Sequence, residues 1–248
     1  MIERPSEAKE SGSHQGRALA ESLRFRTWRD SSLAWIREDN LEKLDVIRSI
    51  VVVGSSNSGK TTIVNYIREM LNNHPAFSQA FDIPKRVITR PQRKNDDLEE
   101  NIFASTSEDF TRETERGIAW ERDMGAGRTE RYGFVKSDPN KIPIYSANNA
   151  LLKNRDSIVS SDPSFLDHSL VILVSAPDDA RAKRLEKRSP DIVKDKPEEA
   201  KMRMEDSAMN QYPNCHVVVH NPEGAQAEVK KILAFVLENI LASIKGTV

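Results

Sequence analysis

Residues 54–62 carry the clearest chemical signal in the sequence. They match the pattern GxxxxGK[ST] and read Gly54, Ser55, Ser56, Asn57, Ser58, Gly59, Lys60, Thr61 and Thr62. Glycines in such a loop allow successive backbone N–H groups to turn inward around phosphate oxygens, and the helix that follows directs its positive end at the same anion. We expect Lys60 to reach the β- and γ-phosphates of a nucleoside triphosphate, and the Thr61 hydroxyl to bind Mg²⁺.

The residues on either side of this loop favour the same interpretation. Residues 50–53 form a continuous β-branched run, which is typical of a parallel strand covered on both faces. After the loop, Ile63, Ile67 and Leu71 recur at helical spacing. A strand, a phosphate loop and a helix in this order predict a donor site with ATP and Mg²⁺ as cofactors.

The sequence does not supply an obvious carboxylate for that Mg²⁺. The apolar runs that end at Val174 and Tyr145 continue into serine or Ser-Ala-Pro, with no aspartate at the tip of either predicted strand. The acidic candidates lie elsewhere, at Asp96, Asp97, Glu99 and Glu100, where a solvated acidic stretch is the alternative. The five histidines show no metal-ligand spacing.

Composition narrows the class of protein. The chain has 248 residues, enough to bury a core, and its 37 Lys and Arg against 38 Asp and Glu leave a net charge of -1. This balance argues against broad attraction to nucleic acid or membranes. A single cysteine, Cys215, excludes an internal disulfide, and there is no long apolar run. We therefore expect a cytoplasmic chain without a membrane span, while its oligomeric state stays open.

The pattern along the chain predicts three parts. Residues 1–17 are polar and read as a disordered tail, and residues 18–47 read as an N-terminal helical extension that includes Trp28 and Trp35. From residue 48 to 248, strands alternate with helices, which predicts an α/β fold with a mostly parallel sheet flanked by helices. The expected strands are 50–53, 86–89, 142–146, 170–174 and 217–219; residues 117–134 suggest a hairpin, residues 180–188, 198–209 and 223–244 suggest helices, and residues 189–197 form a polar break.

Further short motifs follow the loop in a characteristic order. They are Thr89-Arg90-Pro91-Gln92-Arg93, Phe103 with Glu108-Asp109-Phe110, residues 117–120, residues 131–133, residues 183–188, residues 202–204 and residues 217–221. In this order the chain resembles the guanylate kinase-like family of P-loop kinases over roughly residues 48–244. The resemblance implies a kinase whose acceptor-binding insertion spans about 84–140 and whose lid spans about 186–200.

The resemblance also implies roles for individual side chains. Arg90 and Arg93 would clamp the phosphate of a small phosphorylated acceptor, since guanidinium groups suit phosphate, and the Tyr132 hydroxyl would bind the same phosphate. For these residues, a solvated basic turn and a hairpin core position are the alternatives. The residues implied to be catalytic, by neutralising the transferred phosphoryl group, are Lys60, Arg184, Arg188 and Arg203, and solvent-exposed helix faces are the alternative for the three arginines.

The departures from the family concern the acceptor. Guanylate kinases read guanine with side chains at positions that here hold Ala119, Phe134 and residues 146–149. Without those acceptors, guanine selectivity is not expected. Ribose 1,5-bisphosphate phosphokinases also lack them, and resemble this chain at residues 99–102, Trp120 and residues 132–134. A nucleotide or a phosphosugar therefore stays open as acceptor.

Two further readings stay open. The basic cluster at Arg86, Arg90, Arg93 and Lys94 suits a kinase that acts on nucleic-acid ends or modified bases, although net charge does not favour this. The other is a non-catalytic guanylate kinase-like interaction module. Such modules have typically lost the phosphate loop, which this chain keeps.

Overall fold

The structure is a computed structural model that describes residues 13–24, 33–92, 98, 100–114, 118–123, 129–153, 158–160, 164–205 and 214–245. Its helices are α1 (Ser13–Arg24), α2 (Glu38–Leu41), α3 (Lys60–Asn73), α4 (Pro75–Ala80), α5 (Ser107–Thr114), α6 (Ala150–Lys153), α7 (Asp178–Arg188), α8 (Pro190–Asp195), α9 (Pro197–Glu205) and α10 (Gln226–Lys245), with a 3₁₀ helix at Phe165–His168. Its strands are β1 (Ala34–Ile36), β2 (Ser49–Gly54), β3 (Phe81–Asp82), β4 (Arg86–Ile88), β5 (Asn101–Phe103), β6 (Ile118–Asp123), β7 (Thr129–Phe134), β8 (Ile142–Ser146), β9 (Val159–Ser160), β10 (Ser169–Ser175) and β11 (Val217–His220).

The main sheet has the strand order β1-β11-β10-β2-β8-β3. All neighbouring pairs are parallel except β1 with β11, which confirms the mostly parallel sheet predicted from the sequence. Every residue of β2 is buried, as its continuous apolar run requires. In the register of β2 with β10, Val53 pairs with Leu173 and Gly54 with Val174.

The two faces of the main sheet are covered differently. Ile50 and Val52 face a core that includes residues of α1, α3 and α10. Val51 and Val53 face a second core whose members include Trp120 and Phe134 of the second sheet, together with residues of α6. Helices flank the sheet as expected, but on this second face strands share the covering role.

The second sheet has the strand order β5-β4-β7-β6-β9. Its strands β4 to β7 lie within the predicted acceptor region, whereas β9 lies beyond it in the chain. Its centre is the antiparallel pair β6 and β7, which confirms the hairpin expected near residues 117–134. Trp120 lies opposite Tyr132 and Arg122 lies opposite Glu130 in this pair. Because strand side chains alternate between faces, these four residues and Phe134 share one face.

The N-terminal part differs from the prediction in two ways. Helix α1 begins at Ser13, so the end of the predicted tail, residues 13–17, is helical. A Cβ at Gly16 would collide with the Leu41 carbonyl, and Gln15 Oε1 accepts from the Ile47 N–H at 3.1 Å. The extension is also not purely helical, because β1 adds an antiparallel edge strand to β11. Trp28 lies outside the described residues.

The predicted polar break at residues 189–197 is wrong, because α8 occupies most of it. Pro190 stands in the first turn of α8, where its missing N–H costs no helical hydrogen bond. Within the described ranges, none of the helices combines the length and the apolar character that a bilayer span requires.

Candidate functional site

The loop at residues 54–59 joins β2 to α3 at the carboxyl end of the main sheet. Gly59 has a φ of 98°, a left-handed conformation that glycine adopts without strain. A Cβ there would collide with the side-chain amide of Asn221, and a Cβ at Gly54 would collide with the Val174 carbonyl. Gly54 is therefore required by the close approach of the Val174 backbone, and Gly59 by its left-handed φ and by the Asn221 side chain packed against it.

Lys60 folds back over this loop. Its Nζ donates to the carbonyl oxygens of Gly54 at 2.6 Å and Ser55 at 3.1 Å. Thr61 and Thr62 follow in the first turn of α3 and are exposed. A cation, two hydroxyls and the positive end of a helix thus lie together at one end of the loop.

The outer side of the loop is held by an arginine of α7. Arg184 Nη1 donates to the carbonyl oxygens of Asn57 at 3.3 Å and Ser58 at 3.1 Å, and its Nη2 donates to the Asn221 carbonyl at 2.9 Å. Asn221 Nδ2 donates to the Ser58 carbonyl as well, at 3.1 Å. Arg184, expected from the resemblance to be catalytic, therefore also fixes the course of the loop.

A cavity of about 410 Å³ opens over the loop. Its lining residues are Asn57, Gly59, Lys60, Thr61, Thr62, Arg184, Lys187 and Arg188. The structure thus brings together the expected residues Lys60, Thr61, Arg184 and Arg188 around one space of the size that small-molecule sites occupy. Lys187 was not identified from the sequence; its signal was its place three residues after Arg184 on the same helix.

Arg203 lies apart from the residues that line this cavity. It is buried in α9, where its Nη2 donates to Glu199 Oε1 at 2.7 Å. Its backbone carbonyl accepts from Arg181 Nη2 at 2.9 Å. Arg181 was also missed from the sequence, although it precedes Arg184 by three residues and Arg188 by seven, the spacing of one helix face.

The expected acceptor residues lie in the second sheet and the segment after β4. Arg90 Nη1 donates to the Pro91 carbonyl at 2.9 Å, and its guanidinium carbon lies 5.6 Å from the centroid of the Phe103 ring. Tyr132 is buried, and its hydroxyl hydrogen-bonds to Glu130 Oε2. Arg93 lies outside the described residues.

Tyr132 and Glu130 belong to a small charged cluster. Burial raises the pKa of the Tyr132 hydroxyl, the hydrogen bond to Glu130 adds to that rise, and the positive charges of Arg122 and Arg90 oppose it. The hydroxyl therefore stays protonated at neutral pH and donates to the carboxylate. Glu130 is a buried acidic residue that sequence reasoning missed, because the sequence of the hairpin alone does not show which of its faces is buried.

Aromatic packing and amides occupy the positions that the resemblance assigned to guanine recognition. Phe134 packs with its ring centroid 5.4 Å from Trp120 and 4.7 Å from Tyr145, and Ala119 lies opposite Gly133. Asn148 Oδ1 accepts from Trp120 Nε1 at 3.1 Å. The amide of Asn149 is buried and has no hydrogen-bond partner among the described residues.

The chemistry of the loop fits a triphosphate. Buried hydroxyls of Ser55 and Ser58 have no hydrogen-bond partner in the described part of the chain and are available as donors. The cavity adds the cations of Lys60, Arg184, Lys187 and Arg188, and no carboxylate is among its lining residues. This donor set is suited to phosphate oxygens.

The site offers fewer candidate ligands for Mg²⁺ than for the phosphate oxygens of a triphosphate. Across the ranges that the structure describes, no group of three or more His, Cys, Asp and Glu side chains is placed to hold a metal ion. Glu100 pairs with Arg68 at 2.9 Å, and Asp96, Asp97 and Glu99 lie outside those ranges. At the end of β10, Ser175 Oγ hydrogen-bonds to His220 Nδ1 at 2.9 Å. Thr61 remains the protein ligand proposed for Mg²⁺.

Comparison with solved structures finds a distant similarity in fold. The chain is similar to guanylate kinase from Anaplasma phagocytophilum, with a TM-score of 0.45 and 16% identity, over 78% of this chain and 86% of that chain. No protein-family model matches the sequence. No curated protein matches it either.

Proposed function

We propose that this chain is an ATP-dependent kinase that transfers the γ-phosphoryl group to a small phosphorylated acceptor. The observation that carries the proposal is the loop at residues 54–59, with Gly59 in the left-handed region and Lys60 folded over it beneath a cavity lined by cations. Backbone donors, a helix end and a lysine in this arrangement suit the phosphates of a triphosphate.

On this proposal the loop and Lys60 hold the donor phosphates, while Arg188 and Lys187 reach the same cavity from α7. Mg²⁺ bound with Thr61 would neutralise charge on the β- and γ-phosphates, in a reaction that consists mainly of positioning and charge neutralisation. An acceptor oxygen bonds to the γ-phosphorus while the bond to the β–γ bridging oxygen breaks, and ADP leaves with that electron pair.

The cavity also bears on the kind of acceptor. Its described lining residues include no carboxylate that would serve as a general base. A phosphate oxygen is already ionised at neutral pH, whereas a hydroxyl acceptor must lose a proton. A phosphate-bearing acceptor is therefore the better match, with Arg90 as its expected partner. Phe134 and Ala119 offer guanine no acceptor, so we propose another nucleotide or a phosphosugar such as ribose 1,5-bisphosphate.

An acceptor screen tests the proposal. The purified chain is incubated with Mg²⁺ and ATP labelled at the γ-phosphate, together with nucleoside monophosphates, phosphosugars including ribose 1,5-bisphosphate, or phosphorylated oligonucleotides. We expect label on one small acceptor and none with Lys60→Ala. ATP binding in calorimetry with no transfer to any acceptor contradicts the kinase proposal. Transfer to oligonucleotides alone supports a nucleic-acid kinase, and absence of ATP binding supports a non-catalytic module.

A further inference from the structure

Arg181 in α7 connects three elements from a fully buried position. Its side chain is part of a residue only 1% exposed. Nε donates to the Ser56 carbonyl at 3.2 Å, Nη1 donates to Asp178 Oδ1 at 2.9 Å, and Nη2 donates to the Arg203 carbonyl at 2.9 Å. It is absent from the residues that line the donor cavity. Its known contacts are therefore with the protein rather than with the cavity.

The guanidinium group makes this connection rigid. Its five N–H donors lie in one plane, so the direction toward the Ser56 carbonyl fixes the direction toward the Arg203 carbonyl. A buried charge is tolerated only when it is paired and hydrogen-bonded. The two carbonyls belong to separate elements, the loop at residues 54–59 and helix α9. A displacement of one of these elements must either carry the other along or break a buried charge-assisted hydrogen bond.

Helix α9 carries the one expected catalytic arginine that lies away from the cavity. Arg203 is held in α9 by its pair with Glu199 at 2.7 Å, and its backbone is held by Arg181. Arg184 contacts the same loop, at Asn57 and Ser58, but its bond outside the loop goes to Asn221 rather than to α9. Arg181 and Arg184 therefore differ in what they connect the loop to.

We infer that Arg181 is a positioning residue that couples the phosphate loop to α9, so that a nucleotide bound in the loop holds α9 and Arg203 in place. The identity of that ligand rests on the proposed function. The connection between the loop and α9 does not rest on the proposed function, and it can be measured without a ligand.

Hydrogen exchange on the nucleotide-free chain measures the connection. Arg181→Lys removes the planar guanidinium group but keeps the positive charge. A single ammonium group cannot donate to both carbonyls with the geometry of the guanidinium. We expect exchange to become faster, by about tenfold, at both the Ser58 amide and the α9 amides, because the loop loses a charge-assisted hydrogen bond at the Ser56 carbonyl and α9 loses one at the Arg203 carbonyl. Arg184→Lys should loosen the loop alone. If the α9 amides of folded Arg181→Lys exchange at the same rate as those of the wild-type chain, the inference is overturned.

Lys183→Gln is the matched control, since Lys183 lies on the same helix but is exposed and pairs only loosely with Glu223, at 3.6 Å. It should leave both segments unchanged. If Arg181→Lys does not fold, native-state exchange of the wild-type chain in low denaturant replaces it. There the Ser58 and α9 amides should share one opening free energy and one denaturant dependence. Separate openings would overturn the coupling.

A second set of exchange measurements is made with AMP-PNP and Mg²⁺ added to the wild-type chain and to Arg181→Lys. We expect the ligand to slow exchange in both segments of the wild-type chain. In Arg181→Lys at saturation it should slow exchange in the loop but not in α9, while affinity measured by calorimetry falls by about tenfold or less. A merely structural role would not separate binding from protection of α9. Equal protection of α9 in both proteins overturns the inference. If AMP-PNP does not bind the wild-type chain, the proposed function fails, and the nucleotide-free comparison alone decides the coupling.

Discussion

The proposed donor and acceptor sides of the candidate site are built from different kinds of contact. On the donor side, arginines of α7 hydrogen-bond to consecutive backbone carbonyls of one loop, at Ser56, Asn57 and Ser58. On the acceptor side, the contacts join side chains from separate strands, as where Trp120 stacks on Tyr132 with ring centroids 5.7 Å apart. One side is defined by backbone geometry and the other by side-chain packing.

This difference has a consequence for specificity. A cradle of backbone amides and cations recognises phosphate groups, which all nucleoside triphosphates share. A packed cluster of side chains recognises shape and hydrogen-bonding pattern, and these change with single substitutions. The donor side should therefore tolerate changes outside the loop, while the acceptor side should respond to changes at single positions such as Phe134.

The largest expected effect comes from Lys60→Ala on the donor side. Because Lys60 contacts loop carbonyls rather than the core, the variant should fold normally, and transfer should fall about 10²- to 10³-fold. Steady-state transfer assays with circular dichroism check both statements. Lys187→Ala is the control, since it removes a cation from the same cavity outside the loop, and it should lose less than tenfold. Near-normal transfer in folded Lys60→Ala would remove the loop from the mechanism.

A buried histidine next to the main sheet should make the stability of the whole fold depend on pH. Burial lowers the pKa of His216 from 6.5 to about 4, and its Nδ1 accepts from the Val171 N–H at 2.9 Å. The unfolded chain binds the proton more tightly, so this contribution to stability is complete above pH 6.5 and is lost as the pH falls toward 4. The loss amounts to about 3 kcal/mol.

Denaturant unfolding between pH 7 and pH 4, in parallel with His216→Asn, measures this contribution. Asparagine offers an oxygen in place of Nδ1 but does not titrate in this range, so the wild-type chain should lose about 3 kcal/mol more than the variant. Equal pH dependence in both proteins would contradict the assignment to His216.

The contrast between backbone geometry and side-chain packing also explains which parts of the structure could be predicted from the sequence. The donor loop and its flanking elements were predictable because Gly54, Lys60 and the apolar run before them are contiguous, so local pattern determines local structure. Arg181 could not be assigned to the loop in advance, because its partner Ser56 is 125 residues away in the chain. Its spacing from Arg184 suggested one helix face but not what that face contacts.

On the proposed acceptor side burial decided the outcome, and in the N-terminal extension pairing between distant segments decided it. The hairpin was predictable from its turn residues, but the contact of Glu130 with Tyr132 depends on strand alternation and burial. Trp35 and Ile36 were expected in a helix, yet they lie in β1 because the exposed edge of β11 offers an antiparallel partner nearly 200 residues further along the chain. Tertiary pairing here overrides local periodicity.

Gly59→Ala tests the backbone definition of the donor side. Alanine at a φ of 98° is strained, and its Cβ would collide with the Asn221 amide, so we expect a loss of about 2 kcal/mol in stability and more than tenfold in nucleotide affinity. Gly224→Ala separates strain from collision, since Gly224 has a φ of 85° but open space around a Cβ. It should cost about 1 kcal/mol and leave affinity unchanged. Calorimetry and thermal unfolding of both variants measure these quantities, and equal affinity in both would contradict the role of the close approach.

The smallest expected effect, from Tyr132→Phe, decides whether the acceptor side is defined by packing or by a phosphate contact. The structure commits the Tyr132 hydroxyl to Glu130, so its removal should lower the unfolding free energy by about 1 kcal/mol. Transfer should fall less than threefold, because the ring stack on Trp120 is retained. A double-mutant cycle with Glu130→Gln measures the coupling energy of the pair. If stability is unchanged while KM for the acceptor rises more than tenfold, the hydroxyl serves the acceptor phosphate, and the acceptor side resembles the donor side after all.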